Sequence, residues 1–176
     1  MPALLLILTG LPYSGKTTLG RALEERGAAV VELDHINRER GFRIEDGVPM
    51  AEWPETIRQA ETRITQHLTD GFEVVVLSWV NPTNHDRQRW QSFAAAQGID
   101  HQVVYVAADD VLLASRRTIP APDRHKLSDA VIQRVHRRFQ PPTEAITVQA
   151  NWPLQQQLDT VRAGWSSSAQ PGGQVD

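Results

Sequence analysis

Residues 3–18 read ALLLILTGLPYSGKTT, and three signals follow one another there without a break. Ala3 to Leu8 is a continuous apolar run, the pattern of a strand buried on both faces of a parallel sheet. Gly10-Leu11-Pro12-Tyr13-Ser14-Gly15-Lys16-Thr17 then fits G-x-x-x-x-G-K-[ST]. From Thr17 to Arg26, Leu19, Ala22 and Leu23 share one helical face, and Gly27 marks the stop. Strand, glycine loop and helix, in that order, is the context in which this pattern cradles phosphate. Two glycines let the loop curl so that successive backbone N–H groups point inward, and the helix behind it offers its positive end.

The roles within the loop follow from its chemistry. Lys16 is expected on the β- and γ-phosphates, the Thr17 hydroxyl on Mg²⁺, and Thr18, by position, on the α-phosphate. The expected ligands are therefore ATP and Mg²⁺, held by Gly10 through Thr18. A bland reading, a glycine turn with an exposed lysine, fits this chain poorly. Of its 18 basic residues only Lys16 and Lys126 are lysines.

Working outward, apolar runs alternate with helical spacing. Strands are expected at Ala28–Leu33, Phe72–Leu77, Gln102–Val106 and Ala145–Val148. Helices are expected after Trp53-Pro54 as far as Gly71, over Thr83–Gln97 and Asp109–Arg117, from an N-cap at Ser128 to before Pro141, and over Pro153–Ala163. Asn37 to Met50 reads as an irregular connection, and Thr118 to Lys126, with Pro120 and Pro122, as a loop. About five strands interleaved with helices imply a three-layer α/β/α fold around a parallel sheet, since parallel strands need crossovers. Ligands of such sheets bind beyond the carboxyl ends of the strands. The expected organisation is one domain over residues 1–165 and a disordered tail over 166–176, SSSAQPGGQVD.

Composition excludes several other functions. The 176 residues include no Cys, which removes disulfides, thiolate metal sites and a cysteine nucleophile, and favours the cytoplasm. Neither an export signal nor an apolar stretch of membrane-spanning length is visible. A net charge of −3 disfavours a broad duplex-binding surface. There is no His/Asp/Glu cluster with metal-ligand spacing and no G-x-S-x-G elbow. Nothing fixes an oligomeric state.

Taken together, the phosphate loop, VVELDHINRERG at residues 30–41, and an arginine-rich stretch before RFQPP at 138–142 resemble the P-loop kinases. That group includes small AAA-type kinases, the polynucleotide 5′-kinase domain, zeta toxins and chloramphenicol phosphotransferase. The likeness spans about residues 3–150 and implies a P-loop NTPase fold with an Arg-rich lid. It also implies that Asp34 is the general base for an acceptor hydroxyl. On its own chemistry Asp34, at a strand end beside the loop, either faces a γ-phosphate or caps the next helix.

From Arg116 to Arg138 seven basic residues stand against two acids. Arg116, Arg117 and Arg124 are the lid candidates, because guanidinium groups match the spread charge of a transferring phosphoryl. Arg134, Arg137 and Arg138 fit a solvated helix face better. On the acceptor side the candidates are Asp34, Arg38, Trp79, Asn81 and Arg87, with Arg40 equally divided between anion contact and solvation. Trp79 is placed either to stack on an aromatic acceptor or to pack. The resemblance departs at one point: the group usually carries an acid after the third strand, where Val74 to Val80 reads VVVLSWV. The leading expectation is an ATP-dependent kinase acting on a hydroxyl, more readily of a small molecule than of a nucleic acid. An ATP-binding module with little transfer and a 5′-hydroxyl polynucleotide kinase are the alternatives.

Overall fold

The computed structural model describes residues 3–120 and 126–168. The chain runs β1 (Leu4–Thr9), α1 (Lys16–Glu24), β2 (Ala29–Glu32), α2 (Leu33–Glu39), α3 (Trp53–Thr69), β3 (Val74–Ser78), α4 (Asn84–Ala96), β4 (Asp100–Ala107), α5 (Asp110–Thr118), α6 (Asp129–Arg138), β5 (Ile146–Gln149) and α7 (Leu154–Ser168). Single 3₁₀ turns at Ile44–Asp46 and Met50–Glu52 lie between α2 and α3. The five strands form one parallel sheet in the order β2-β3-β1-β4-β5.

Alternation along β1 divides the core in two. Leu4, Leu6 and Leu8 pack with Leu19, Leu23 and Val161 beneath α1 and α7. Leu5 and Ile7 face the opposite way, toward Ile64, Trp90 and Ala94 of α3 and α4. Burial on both faces is why the run is continuously apolar, and each fully buried Leu or Ile contributes about 1.5–3 kcal/mol. Helices on both faces make the three expected layers. Among the described residues no helix is long and apolar enough to cross a membrane.

The boundaries differ from expectation where tertiary contacts decide them. β1 takes in Thr9, whose hydroxyl donates to the carbonyls of Val80 and Asn81. The second strand stops at Glu32, and Leu33 opens α2 rather than ending the strand. That helix holds only two apolar side chains, Leu33 and Ile36, both buried against the α3 side, too few to show a period. Ser128 does cap α6, accepting from the Val131 N–H. The last helix continues to Ser168, three residues into the stretch assigned to the tail, with Trp165 packed on the α1/α7 core. Residues 169–176 lie outside the described residues.

Candidate active site

The phosphate loop joins β1 to α1 at the carboxyl edge of the sheet. Its two glycines are required sterically. A Cβ on Gly10, at φ 150°, would lie 2.6 Å from the Val106 carbonyl oxygen and 2.8 Å from Ser14 Oγ. Gly15 takes φ 108° at the N-cap of α1, where no described side chain caps the helix, so the first-turn amides stay open to an anion. Lys16, nine-tenths buried, donates from Nζ to the carbonyls of Gly10 and Leu11, each at 2.9 Å, and to Ser14 Oγ at 3.5 Å. Burial lowers the Lys16 pKa to about 8, opposed in part by the negative charge of Asp34.

A cavity of about 560 Å³ opens above this loop. Pro12 through Thr18 form its floor, so Pro12, Tyr13, Ser14, Gly15, Lys16, Thr17 and Thr18 all reach it. Gly10 and Leu11 lie behind the floor and act through their carbonyls on Lys16. Glu32, Asp34, Arg38, Ser78 and Trp79 line it from the β2 and β3 side, and Arg116, Ala150, Trp152 and Gln157 line it from the β5 side. Asp34 sits in the first turn of α2 rather than on the strand, with Glu32 at the N-cap position, so capping is not its task. Trp79 packs on Trp53 with ring centroids 4.6 Å apart, and it also lines the cavity.

The lid candidates separate. Arg116 is a brace: Nη1 donates to the Tyr13 and Ser14 carbonyls at 3.2 and 2.7 Å, and Nη2 to the Ala150 carbonyl at 2.6 Å. It thereby ties the phosphate loop to the turn after β5. Arg117 is paired with Asp129 at the start of α6 and does not line the cavity. Arg124 lies outside the described residues. The Leu127 N–H donates to Tyr13 Oη at 3.0 Å, and Tyr13 itself has φ 69°.

Two expected acceptor residues are elsewhere. Asn81 is fully buried: its Nδ2 donates to the Leu8 carbonyl at 2.7 Å, and its Oδ1 accepts from Trp90 Nε1 at 3.1 Å. Arg87, also buried, donates to the Asn81 carbonyl at 2.8 Å, to the Asn84 side chain and to the Gln140 carbonyl at 2.7 Å. Both fasten the turn after β3, and neither lines the cavity. Arg40 likewise serves the scaffold, bridging to Glu52 at 2.6 Å and lying over the Phe42 ring.

Glu32, Arg21, Trp152 and Gln157 line the cavity without having been singled out in the sequence. Glu32 carried a usable signal, two residues before Asp34 on the same strand end. Trp152 and Gln157 carried none, because neither the turn after β5 nor the first turn of α7 matches a motif. The residues lining the cavity include the hydroxyls of Thr17 and Ser78 and the carboxylates of Glu32 and Asp34. That set suits a hard divalent cation that keeps part of its water.

Residues 5–142 match the family model described as AAA domain. The chain belongs to the AAA domain family. This AAA domain is 31% identical over 118 residues to an adenylyl-sulfate kinase of Geotalea daltonii, a match covering 64% of this chain and 56% of that protein. The chain thus spans little more than half the length of this relative. Among solved structures, the Mycobacterium tuberculosis APS kinase in complex with AMPPNP and APS superimposes with a TM-score of 0.67 at 18% identity, covering 94% of this chain and 98% of that one. A gluconokinase from Sinorhizobium meliloti 1021 gives 0.66 at 20% identity, with coverages of 96% and 94%. A sugar kinase from a Janibacter species gives 0.71 at 16% identity, with 96% of each chain covered. At these identities the structural likeness establishes the shared fold of this AAA domain.

Proposed function

We propose that the chain is an ATP- and Mg²⁺-dependent phosphotransferase acting on the hydroxyl of a small molecule. The observation that carries this reading is the pairing of a buried Lys16 ammonium, held in a ring of loop carbonyls, with the Asp34 carboxylate in the wall of the same cavity. A lysine so placed is poised to exchange carbonyl partners for phosphate oxygens. The kinase names of the relatives support the same reaction class.

Lys16 and the α1 amides hold the β- and γ-phosphates in line with the acceptor. Magnesium, when bound with the nucleotide, supplies positive charge to the phosphate oxygens, and Thr17 is the residue that would hold it. Asp34 accepts the proton of the acceptor hydroxyl as its oxygen bonds to the γ-phosphorus. The bond from that phosphorus to the bridging oxygen breaks and ADP departs with the electron pair. Arg38, in the same wall, meets an anionic group on the acceptor.

The test is transfer from γ-labelled ATP to a panel of acceptors, adenylyl sulfate, gluconate and simple sugars among them. Label in an acceptor, lost in Lys16→Ala, supports the proposal. Tight ATP binding with no transfer to any acceptor leaves an ATP-binding module instead. Asp34→Asn is expected to cut turnover about 100-fold or more while ATP affinity stays within about threefold. Full turnover in that variant removes Asp34 from the base role.

A further inference from the structure

The role given to Asp34 depends on how α2 is turned about its axis. Asp34 and Arg38 stand one helical turn apart, and both line the cavity. Each residue turns a helix by about 100°, so Leu33, Ile36, Asn37 and Arg40 form the adjoining stripe, which rests on the α3 side. Apolar contact supplies little of the hold, because Leu33 and Ile36 are the only apolar side chains of α2. The remainder is polar. Asn37 and Thr56 of α3 are both fully buried, and the Thr56 hydroxyl donates to Asn37 Oδ1 at 2.5 Å. Arg40 Nη1 donates to the same hydroxyl at 2.5 Å and to the Glu52 carbonyl at 2.9 Å, and Nη2 donates to the Glu52 carboxylate at 2.6 Å. A hydroxyl has one proton, so with Arg40 donating to its oxygen the Thr56 proton goes to Asn37. The other acceptor in reach, the Glu52 carbonyl at 3.4 Å, already accepts from Arg40. Among the described residues Asn37 Nδ2 is closed off from solvent with no partner. A buried amide left half-satisfied costs stability that an apolar side chain would not, so cohesion alone does not account for it. What a hydrogen bond adds over apolar contact is direction.

We propose, resting on the reading of Asp34 as the base, that Thr56, Asn37 and Arg40 are positioning residues: they set the rotation of α2 and so aim Asp34 at the acceptor hydroxyl. None of the three lines the cavity, and their effect on transfer passes through Asp34. A helix with its side chains is about 10–12 Å across, so a rotation of about 10° moves a group at its rim by about 1 Å. A misplacement of about 1 Å can cost about 100-fold in rate. Apolar packing is non-directional and tolerates such a turn, whereas a buried hydroxyl–amide bond weakens as its angle departs from linear. The Glu39–Arg63 pair also joins α2 to α3, but both side chains are partly exposed and water screens them.

The test is a double-mutant cycle between Thr56 and Asp34, read as turnover of γ-labelled ATP with the acceptor that the wild-type protein phosphorylates fastest among adenylyl sulfate, gluconate and simple sugars. Thr56→Val, similar in shape but without the hydroxyl, is expected to lower kcat about tenfold with ATP affinity within about twofold of wild type. Thr56→Ser, which keeps the hydroxyl, should stay within about threefold of wild type. In an Asp34→Asn background the Thr56→Val change should cost less than about twofold, because the group it aims is gone. Unchanged kcat in Thr56→Val overturns the proposal, and so does an equal loss in both backgrounds, the mark of a merely structural role. Should Thr56→Val not fold, Arg40→Met, which keeps the stem and drops the guanidinium, takes its place in the same two backgrounds with the same overturning results. Full turnover in Asp34→Asn alone overturns the reading of Asp34 as the base, and no transfer by the wild-type protein overturns the proposed function. Both results are distinct from an equal loss in the two backgrounds.

Discussion

Lys16 concentrates the chemistry of the site in one titratable group. Its pKa is lowered from 10.5 to about 8, burial being the main cause. Between those values the folded protein has released a proton that the unfolded chain still holds, so stability rises with pH across that window. Below about 8 both states are charged and the burial penalty is carried in full. Nucleotide binding has the opposite sign: phosphate oxygens favour the ammonium, so ATP binding above pH 8 takes up a proton. ATP affinity should hold constant up to about pH 7.5 and then weaken toward about tenfold per pH unit. Calorimetry in two buffers of different ionisation heat measures both the affinity and the proton uptake. An affinity flat to pH 10 would mean either that burial does not lower the Lys16 pKa or that another cation meets the phosphates.

At the level of elements, close approach rather than propensity decides α7. A Cβ on Gly164 would lie 2.4 Å from Ile146 Cδ1 and 2.5 Å from Cγ1, so the helix rests on β5 with no room for a methyl group. Alanine in a helix interior is ordinarily better than glycine by about 1 kcal/mol, while overpacking costs about 1–3 kcal/mol. The second effect wins. Gly164→Ala should lower the melting temperature by a few degrees, and adding Ile146→Val, which removes Cδ1, should recover part of it. The turn after β3 is a second fastener. Asn81→Ala leaves the Trp90 N–H and the Leu8 carbonyl without that amide, at about 1–3 kcal/mol for each buried group so stranded. A melt of that variant within a degree of wild type would contradict this account. Such contacts also mark the limit of what the sequence discloses. The phosphate loop was legible because its backbone chemistry is contiguous, and β1 because two-sided burial leaves an unbroken apolar run. Asn81 and Arg87 looked like acceptor residues because they are polar and follow a strand. Their true partners, Trp90 and the Gln140 carbonyl, lie elsewhere in the chain.

Across the whole molecule the cavity is assembled from parts distant in sequence, and Arg116 joins two of them. Its guanidinium holds the Tyr13 and Ser14 carbonyls at the phosphate loop with one nitrogen and the Ala150 carbonyl after β5 with the other. An arginine in a kinase lid is expected to act on the transferring phosphoryl, which would appear as a loss in kcat with nucleotide affinity intact. A brace behaves differently. It sets the distance between the loop and the Ala150–Trp152 turn, both of which line the cavity, before any phosphate arrives. Removing it loosens the site for ground state and transition state alike. Each charge-assisted bond of this kind is worth about 1.5–3 kcal/mol before solvent competition at a partly exposed site reduces it. Arg116→Ala should therefore weaken ATP binding by about tenfold while changing kcat by less than about threefold. Arg116→Lys, a single point of charge without the planar fork, should recover only part of the affinity. Binding and turnover measured on both variants separate the roles: a kcat collapse at unchanged affinity would return Arg116 to the transition state and remove the brace.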